Sequence, residues 1–294
     1  MRLHLVDGTY ELFRAHFSKR PDQTDPAGRD VKAIVGVVSS MLALIDDLEE
    51  QVTHLAVAFD NPVRSFRNDL YDGYKTEEGV APELLAQFDR VEEAMRAIGV
   101  TVWSMDRWEA DDALATAAAR WADAVDQVRI LTPDKDLGQC IRGQRVVQVD
   151  RMRKKLIDEA ALLVLRGIAP ESVPDYLALV GDAADGFPGI KGFGEKTAAA
   201  LLREYVHLER IPARAGDWKV NVRGAATLAP VLAASQEEVL LYRTLATLVT
   251  DVPLAEPLEA LRWQGVPRAA FEAWCGSLGL SEQMRARPSR FAAE

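Results

Sequence analysis

Nine acidic side chains stand where carboxylates can gather metal ions: Asp7, Asp60, Glu109, Asp111, Asp112, Asp134, Asp136, Asp182 and Asp185. Asp7 closes the apolar run in LVDG, and Asp60 closes the one in AFDN. Glu109, Asp111 and Asp112 share WEADDAL, Asp134 and Asp136 share LTPDKD, and Asp182 and Asp185 lie in GDAADGFPG. Oxygen donors select hard cations, Mg²⁺ or Mn²⁺, over zinc. The four histidines (His4, His16, His54, His207) are scattered, and two cysteines cannot complete a zinc site. Two or three divalent ions held by carboxylates suit phosphoryl chemistry. One makes hydroxide from water and another stabilises the leaving oxygen. The acids then act as ligands, not general bases.

Taken singly, each acid has an ordinary role. Asp7 reads as a helix cap, EADD as first-turn acids facing the helix dipole, DKD as a solvated turn, and Asp182 with Asp185 as an Asx-turn. Independent caps, however, need not fall at successive strand ends of one sheet. Nine carboxylates within about 10 Å repel by several kcal/mol at a protein-like dielectric, so such a cluster requires cations.

The elements that must position these acids follow from periodicity. RLHLV (2–6), THLAVAF (53–59), VTVW (100–103), VRILT (128–132) and RVVQV (145–149) read as strands. Segments 33–50, 82–99 and 111–124 carry helical spacing between them. Strand–helix alternation predicts an α/β fold with a parallel sheet, whose sites form at the carboxyl ends of the strands. Beyond about residue 155 the pattern turns helical. This predicts an α/β part over 1–165 and a helical part over 166–294, with loops over 20–30 and 211–224 and a frayed tail from about 285.

Composition bounds the rest. The chain has 294 residues, 48% hydrophobic and 27% charged, as a soluble protein does. The apolar run over 33–45 is too short to span a membrane, and MRLHLVDG carries no secretory leader pattern, so a reducing cytoplasm is expected. The net charge of −10 argues against nucleic acid unless the acids are clustered and metal-bound.

Residues 188–197, PGIKGFGEKT, are not a Walker A loop, because Glu195 separates the last glycine from the lysine. They read as a helix–hairpin–helix turn. Gly189, Gly192 and Gly194 would let backbone approach a partner, the next helix would offer N–H groups, and Lys191 and Lys196 would add charge. Such a turn grips a DNA phosphate without reading sequence. The plain alternative is a glycine-capped helical hairpin.

Together, LVDG with LFRAHF, AFDNPVRSFRNDLYDGYK, EADDALA, LTPDKDLGQ and GDAADGFPGIKGFGEKTAAALL resemble the 5′-nuclease family of flap endonucleases and 5′–3′ exonucleases, over residues 1 to about 205. That family also forms the N-terminal domain of bacterial DNA polymerase I. The resemblance implies a PIN-like sheet and assigns all nine acids to the metal site. It implies that Arg67 and Lys75 orient the scissile phosphate, that Tyr74 stacks on a base, and that K⁺ binds at the hairpin. It implies an arch over about 64–84. Substrates would be DNA with 5′ ends, flaps or nicks, cut by a stand-alone monomer working in trans with a polymerase or ligase in replication and repair.

The family's Tyr-Lys-x-x-Arg reads YKTEE here, placing Glu78 where an arginine is expected and favouring recessed or nicked ends over threaded flaps. RMRKK (151–155) reads either as a solvated hairpin tip or as an extra duplex contact. Two rivals are a PIN-like endoribonuclease and a catalytically weak DNA-junction binder.

Overall fold

The computed structural model describes residues 1–293. Five parallel strands form the sheet: β1 (Arg2–Asp7), β2 (His54–Asp60), β3 (Thr101–Met105), β4 (Gln127–Leu131) and β5 (Val146–Asp150). A short antiparallel β6 (Lys155–Ile157) follows, in the order β3-β2-β1-β4-β5-β6. The five expected strands are present. β6 was not expected, because KLI is too short to show alternation. The β5–β6 turn carries RMRKK. Arg151 bonds the Ser40 hydroxyl at 3.0 Å and Arg153 bonds Asp150 at 3.1 Å, while Lys154 and Lys155 are exposed.

The strands are almost wholly apolar because both faces are covered. β2 is buried at all seven positions. Lys32–Asp46 and Phe88–Ala97 pack on one face, and Ala110–Trp121 on the other. The helical pattern over 82–99 is two helices, Pro82–Leu85 and Phe88–Ala97, with Gln87 between them donating to the Glu83 carbonyl at 3.0 Å. The order reverses at β1, so its neighbours β2 and β4 leave by opposite directions and open a crevice at their carboxyl ends.

The helical lobe has a separate core formed by Val173–Val180, Glu195–Tyr205, Ala225–Ala234 and Gln236–Ala246. The chain after residue 247 does not stay there. Leu248, Val252 and Leu254 pack beside Ala110–Trp121. Trp263, Phe271 and Trp274 join the opposite face of the α/β lobe. The Trp263 indole donates to the Ile98 carbonyl at 3.0 Å. The tail is not frayed: Ala292 N–H donates to the Val266 carbonyl at 2.9 Å, and Phe291 bridges Val266. The expected helical part over 166–294 therefore gives its last segment to the α/β lobe. Apolar residues such as Leu248 and Trp274 fit either core, so their side could not be read from pattern. Among the described residues no helix is long and apolar enough to cross a membrane.

Candidate active site

Asp7 ends β1 and caps the helix Gly8–His16, accepting the Tyr10 N–H at 2.8 Å; its other oxygen accepts the Thr132 hydroxyl at 2.9 Å. The capping reading and the site reading hold together, since one carboxylate has oxygens for both. Asp60 ends β2 and accepts the Ala110 N–H at 2.7 Å. Glu109 caps Ala110–Trp121 in a reciprocal box with Asp112 and accepts the Ser65 hydroxyl at 2.7 Å. The alanine-rich ADDALATAAARW is a strong helix former, which fixes this first turn. Asp136 opens a 3₁₀ turn after β4, its N–H bound to Asp134 at 2.9 Å. Asp182 and Asp185 lie on a tight turn closed by mutual backbone bonds between Asp182 and Phe187.

Seven of the nine acids fall into two groups at the sheet edge, and Glu109 stands beside them, held by Ser65, Tyr74 and Lys75. Asp136, Asp182 and Asp185 each offer an oxygen within 4.8 Å of the others. Asp7, Asp60, Asp111 and Asp134 act on one another across the sheet edge. Burial, reinforced by Asp60 and Asp134, pushes the Asp7 carboxyl up to about 7. Burial and neighbouring carboxylates also raise Asp60, Asp111, Asp136 and Asp185. One buried oxygen of Asp136 has no hydrogen-bond partner. An orphaned buried acceptor beside like charges is the environment a hard cation satisfies.

Two lysines supply part of the missing charge. Lys75 lies 3.2 Å from both Glu109 and Asp185. Lys135 lies 2.6 Å from Asp182. Burial opposes both ammonium charges, but the carboxylates outweigh it and hold both above the ordinary lysine value. Lys135 was absent from the sequence expectation, although its place between two acids in DKD was a usable signal. Thr132 and Ser65 were missed as well, and no motif marks them.

Four expected roles do not fit the geometry. Arg67 is fully buried, with both terminal nitrogens 2.7 Å from the Asp112 carboxylate, and it donates to the carbonyls of Leu245 (2.8 Å) and Thr247 (3.1 Å). It has no face left for a phosphate. Asp112 is fully buried and also accepts the N–H groups of Glu109 and Val249 at 2.9 Å each, so it is an anchor for Arg67 rather than a metal ligand. Tyr74 is 3% exposed with its hydroxyl 3.1 Å from Glu109, so no base can stack on it. Gly189 serves internal packing. It sits at φ +69°, and a Cβ there would lie 2.3 Å from the Gly181 nitrogen.

The remainder of the hairpin turns outward. Lys191, Gly192, Gly194 and Lys196 are exposed. Gly192 lies at φ +93°, where a Cβ would crowd Leu228. Gly194 stands before Glu195–Tyr205 with open space where a Cβ would point.

The acids gathered on the carboxyl edge of a parallel sheet, joined to a helical lobe with an exposed glycine hairpin, are matched by one protein family along most of the chain. Residues 2–165 match the 5′–3′ exonuclease N-terminal resolvase-like domain, and residues 168–269 match the 5′–3′ exonuclease C-terminal SAM fold. DNA polymerase I of Rhizobium leguminosarum is 37% identical over 265 residues, covering 88% of this chain and 26% of that protein. The 5′–3′ exonuclease of Aquifex aeolicus is 33% identical over 210 residues, covering 71% of each. The chain thus spans about a quarter of the Rhizobium polymerase. A zinc-bound 5′-exonuclease of phage T5 shares the fold at TM-score 0.63 and 18% identity, covering 84% and 89% of the two chains. The catalytic core of Rad2 with DNA substrate does so at TM-score 0.60 and 16% identity, covering 97% and 89%. The chain belongs to the 5′–3′ exonuclease family.

Proposed function

We propose that the chain hydrolyses DNA phosphodiesters near 5′ ends with Mg²⁺ or Mn²⁺, leaving a 5′-phosphate and a 3′-hydroxyl, in replication and repair. The observation that carries this is the cluster of Asp136, Asp182 and Asp185 with an orphaned buried oxygen on Asp136, beside Asp7, Asp60, Asp111 and Asp134 acting on one another at the sheet edge. Asp136, Asp182 and Asp185 would hold one ion, and Asp7, Asp60, Asp111 and Asp134 the other. Ions held there would supply a hydroxide nucleophile and stabilise the leaving oxygen. Glu109 would hold Lys75 in place, and the Lys75 ammonium would orient the scissile phosphate. The exposed hairpin with Lys191, Gly192, Gly194 and Lys196 would hold the duplex through its phosphates, with K⁺ on the turn carbonyls. It would act in the cytoplasm as a monomer, alongside a polymerase or ligase.

Substrate choice follows the segment after β2. Its exposed positions include Asp72, Glu77 and Glu78, while Arg67 is buried and Lys75 is engaged by acids. A threaded 5′ strand would meet net negative charge there, which favours recessed or nicked ends over long flaps.

Cleavage of a labelled 5′-flap duplex and of a nicked duplex, in Mn²⁺ and in EDTA, tests this reading. Metal-dependent mononucleotide release with little flap oligonucleotide is expected. Cleavage of matched RNA instead would favour the endoribonuclease rival. Binding without cleavage in Mn²⁺ would overturn the enzyme assignment in favour of junction binding.

A further inference from the structure

The Lys135 ammonium sits 2.6 Å from an oxygen of Asp182, in the three-acid cluster that holds the unpartnered Asp136 oxygen. Its backbone is fixed separately. The Arg166 guanidinium, at the end of the helix Glu159–Arg166, donates to the Lys135 carbonyl at 2.7 Å. The Lys135 side chain remains 36% exposed because it borders a cleft of about 510 Å³. Arg166, Tyr176, Gly181, Gly194, Glu195 and Lys196 line the same cleft, which runs from Gly181, next to Asp182 in the chain, to the exposed hairpin. Lys135 is therefore fixed at its backbone, while its part-exposed tip is held by one ion pair to Asp182 at the edge of the cleft.

We propose that Lys135 is an exchangeable counter-ion that serves the metal site and the DNA strand in turn. Without metal, its ammonium neutralises Asp182 and lowers repulsion within Asp136, Asp182 and Asp185. A divalent ion on those acids repels it. The long flexible stem then carries the charge into the cleft, beside Arg166 and Lys196, where a backbone phosphate running from the cut site to the hairpin receives it. Lys135 is in this sense a positioning residue that makes metal loading and duplex binding mutually favourable. No covalent step is involved. The inference rests on the 5′-nuclease reading for the identity of the ions and the strand.

Two opposite requirements meet at one side chain, and this makes the proposal testable without cleavage. Lys135→Met keeps the apolar stem and removes the charge; Lys135→Arg keeps the charge. Mn²⁺ alone, titrated by electron paramagnetic resonance, should bind Lys135→Met about five- to tenfold more tightly than the parent chain, because a competing cation is gone. Lys135→Arg should stay near the parent value. Binding of a nicked duplex is then measured against salt, in EDTA and in Ca²⁺. In Ca²⁺, Lys135→Met should weaken binding and reduce the salt slope by about one contact; in EDTA it should change little. Unchanged or weaker Mn²⁺ binding by Lys135→Met would overturn the proposal. Equal loss of DNA binding in both media would also overturn it, by making Lys135 a structural support. A parent chain that binds neither Mn²⁺ nor DNA would remove the nuclease reading itself, a result distinct from either.

Discussion

Asp111 and Asp112 are neighbours on one helical turn, yet they belong to regions with opposite electrostatics. Asp112 meets a fully buried guanidinium that matches it bidentately, and two backbone N–H groups complete its shell. Asp111 faces Asp7, Asp60 and Asp134, and burial with these charges raises its carboxyl far above the usual range. The Arg67–Asp112 node is balanced within the protein itself. The sheet edge carries more negative charge than Lys75 and Lys135 neutralise. Evenly paired charge holds a fold together; unpaired charge held in place by that fold is what an external cation can use.

The comparison can be broken at several strengths. The largest effect belongs to the sheet edge. Asp136→Asn should lower cleavage by more than about a hundredfold, the upper figure for losing a mere supporting partner of a metal ligand, with duplex binding retained. Normal turnover by this variant would remove the metal-site assignment.

At the balanced node the effect should fall on stability. Arg67→Met leaves the Asp112 carboxylate buried and unpaired, at a cost of about 3–5 kcal/mol. A thermal melt within a degree or two of the parent would show that the node is not structural.

The pH dependence sharpens the contrast. The folded-state value of Asp7, about 7, lies above the ordinary carboxylate value of 3.8, so the native state binds the proton more tightly. Metal-free stability is then greatest at low pH within that window. It falls as pH rises from about 4 towards 7, by on the order of 4 kcal/mol. Melting in EDTA from pH 5 to 8 should show the decline, and Mn²⁺ should flatten it. A metal-free protein that gains stability with pH would contradict the crowding at the edge.

The hairpin holds a smaller version of the same contrast. Gly189→Ala should destabilise the fold by at least about 1–2 kcal/mol, since a left-handed residue gains a Cβ against backbone. Gly194→Ala meets open space and should leave the melt unchanged. If the turn grips phosphate, it should weaken duplex binding. Lys196→Ala should reduce the salt slope of binding by about one contact. An unaltered slope would free this lysine from the DNA interface.

The sequence by itself determined the strands, their order of helices, and the acids at their ends. Two-residue and helical periodicities are local, and a carboxylate directly after a strand is placed by that strand. The glycine hairpin was legible too, because its conformation is written in residues 189–194. Only the tertiary structure decided what each charged group meets. Arg67 turns inward because Leu245 and Thr247, about 180 positions later, bring carbonyls to it, and Val249 brings an N–H to Asp112. Tyr74 is withdrawn by Glu109. Lys135, an ordinary charge between two acids in the sequence, pairs with a third acid because Asp182 folds back beside it. Local pattern fixes where a side chain begins; long-range packing fixes the partner its charge finds, and so its role.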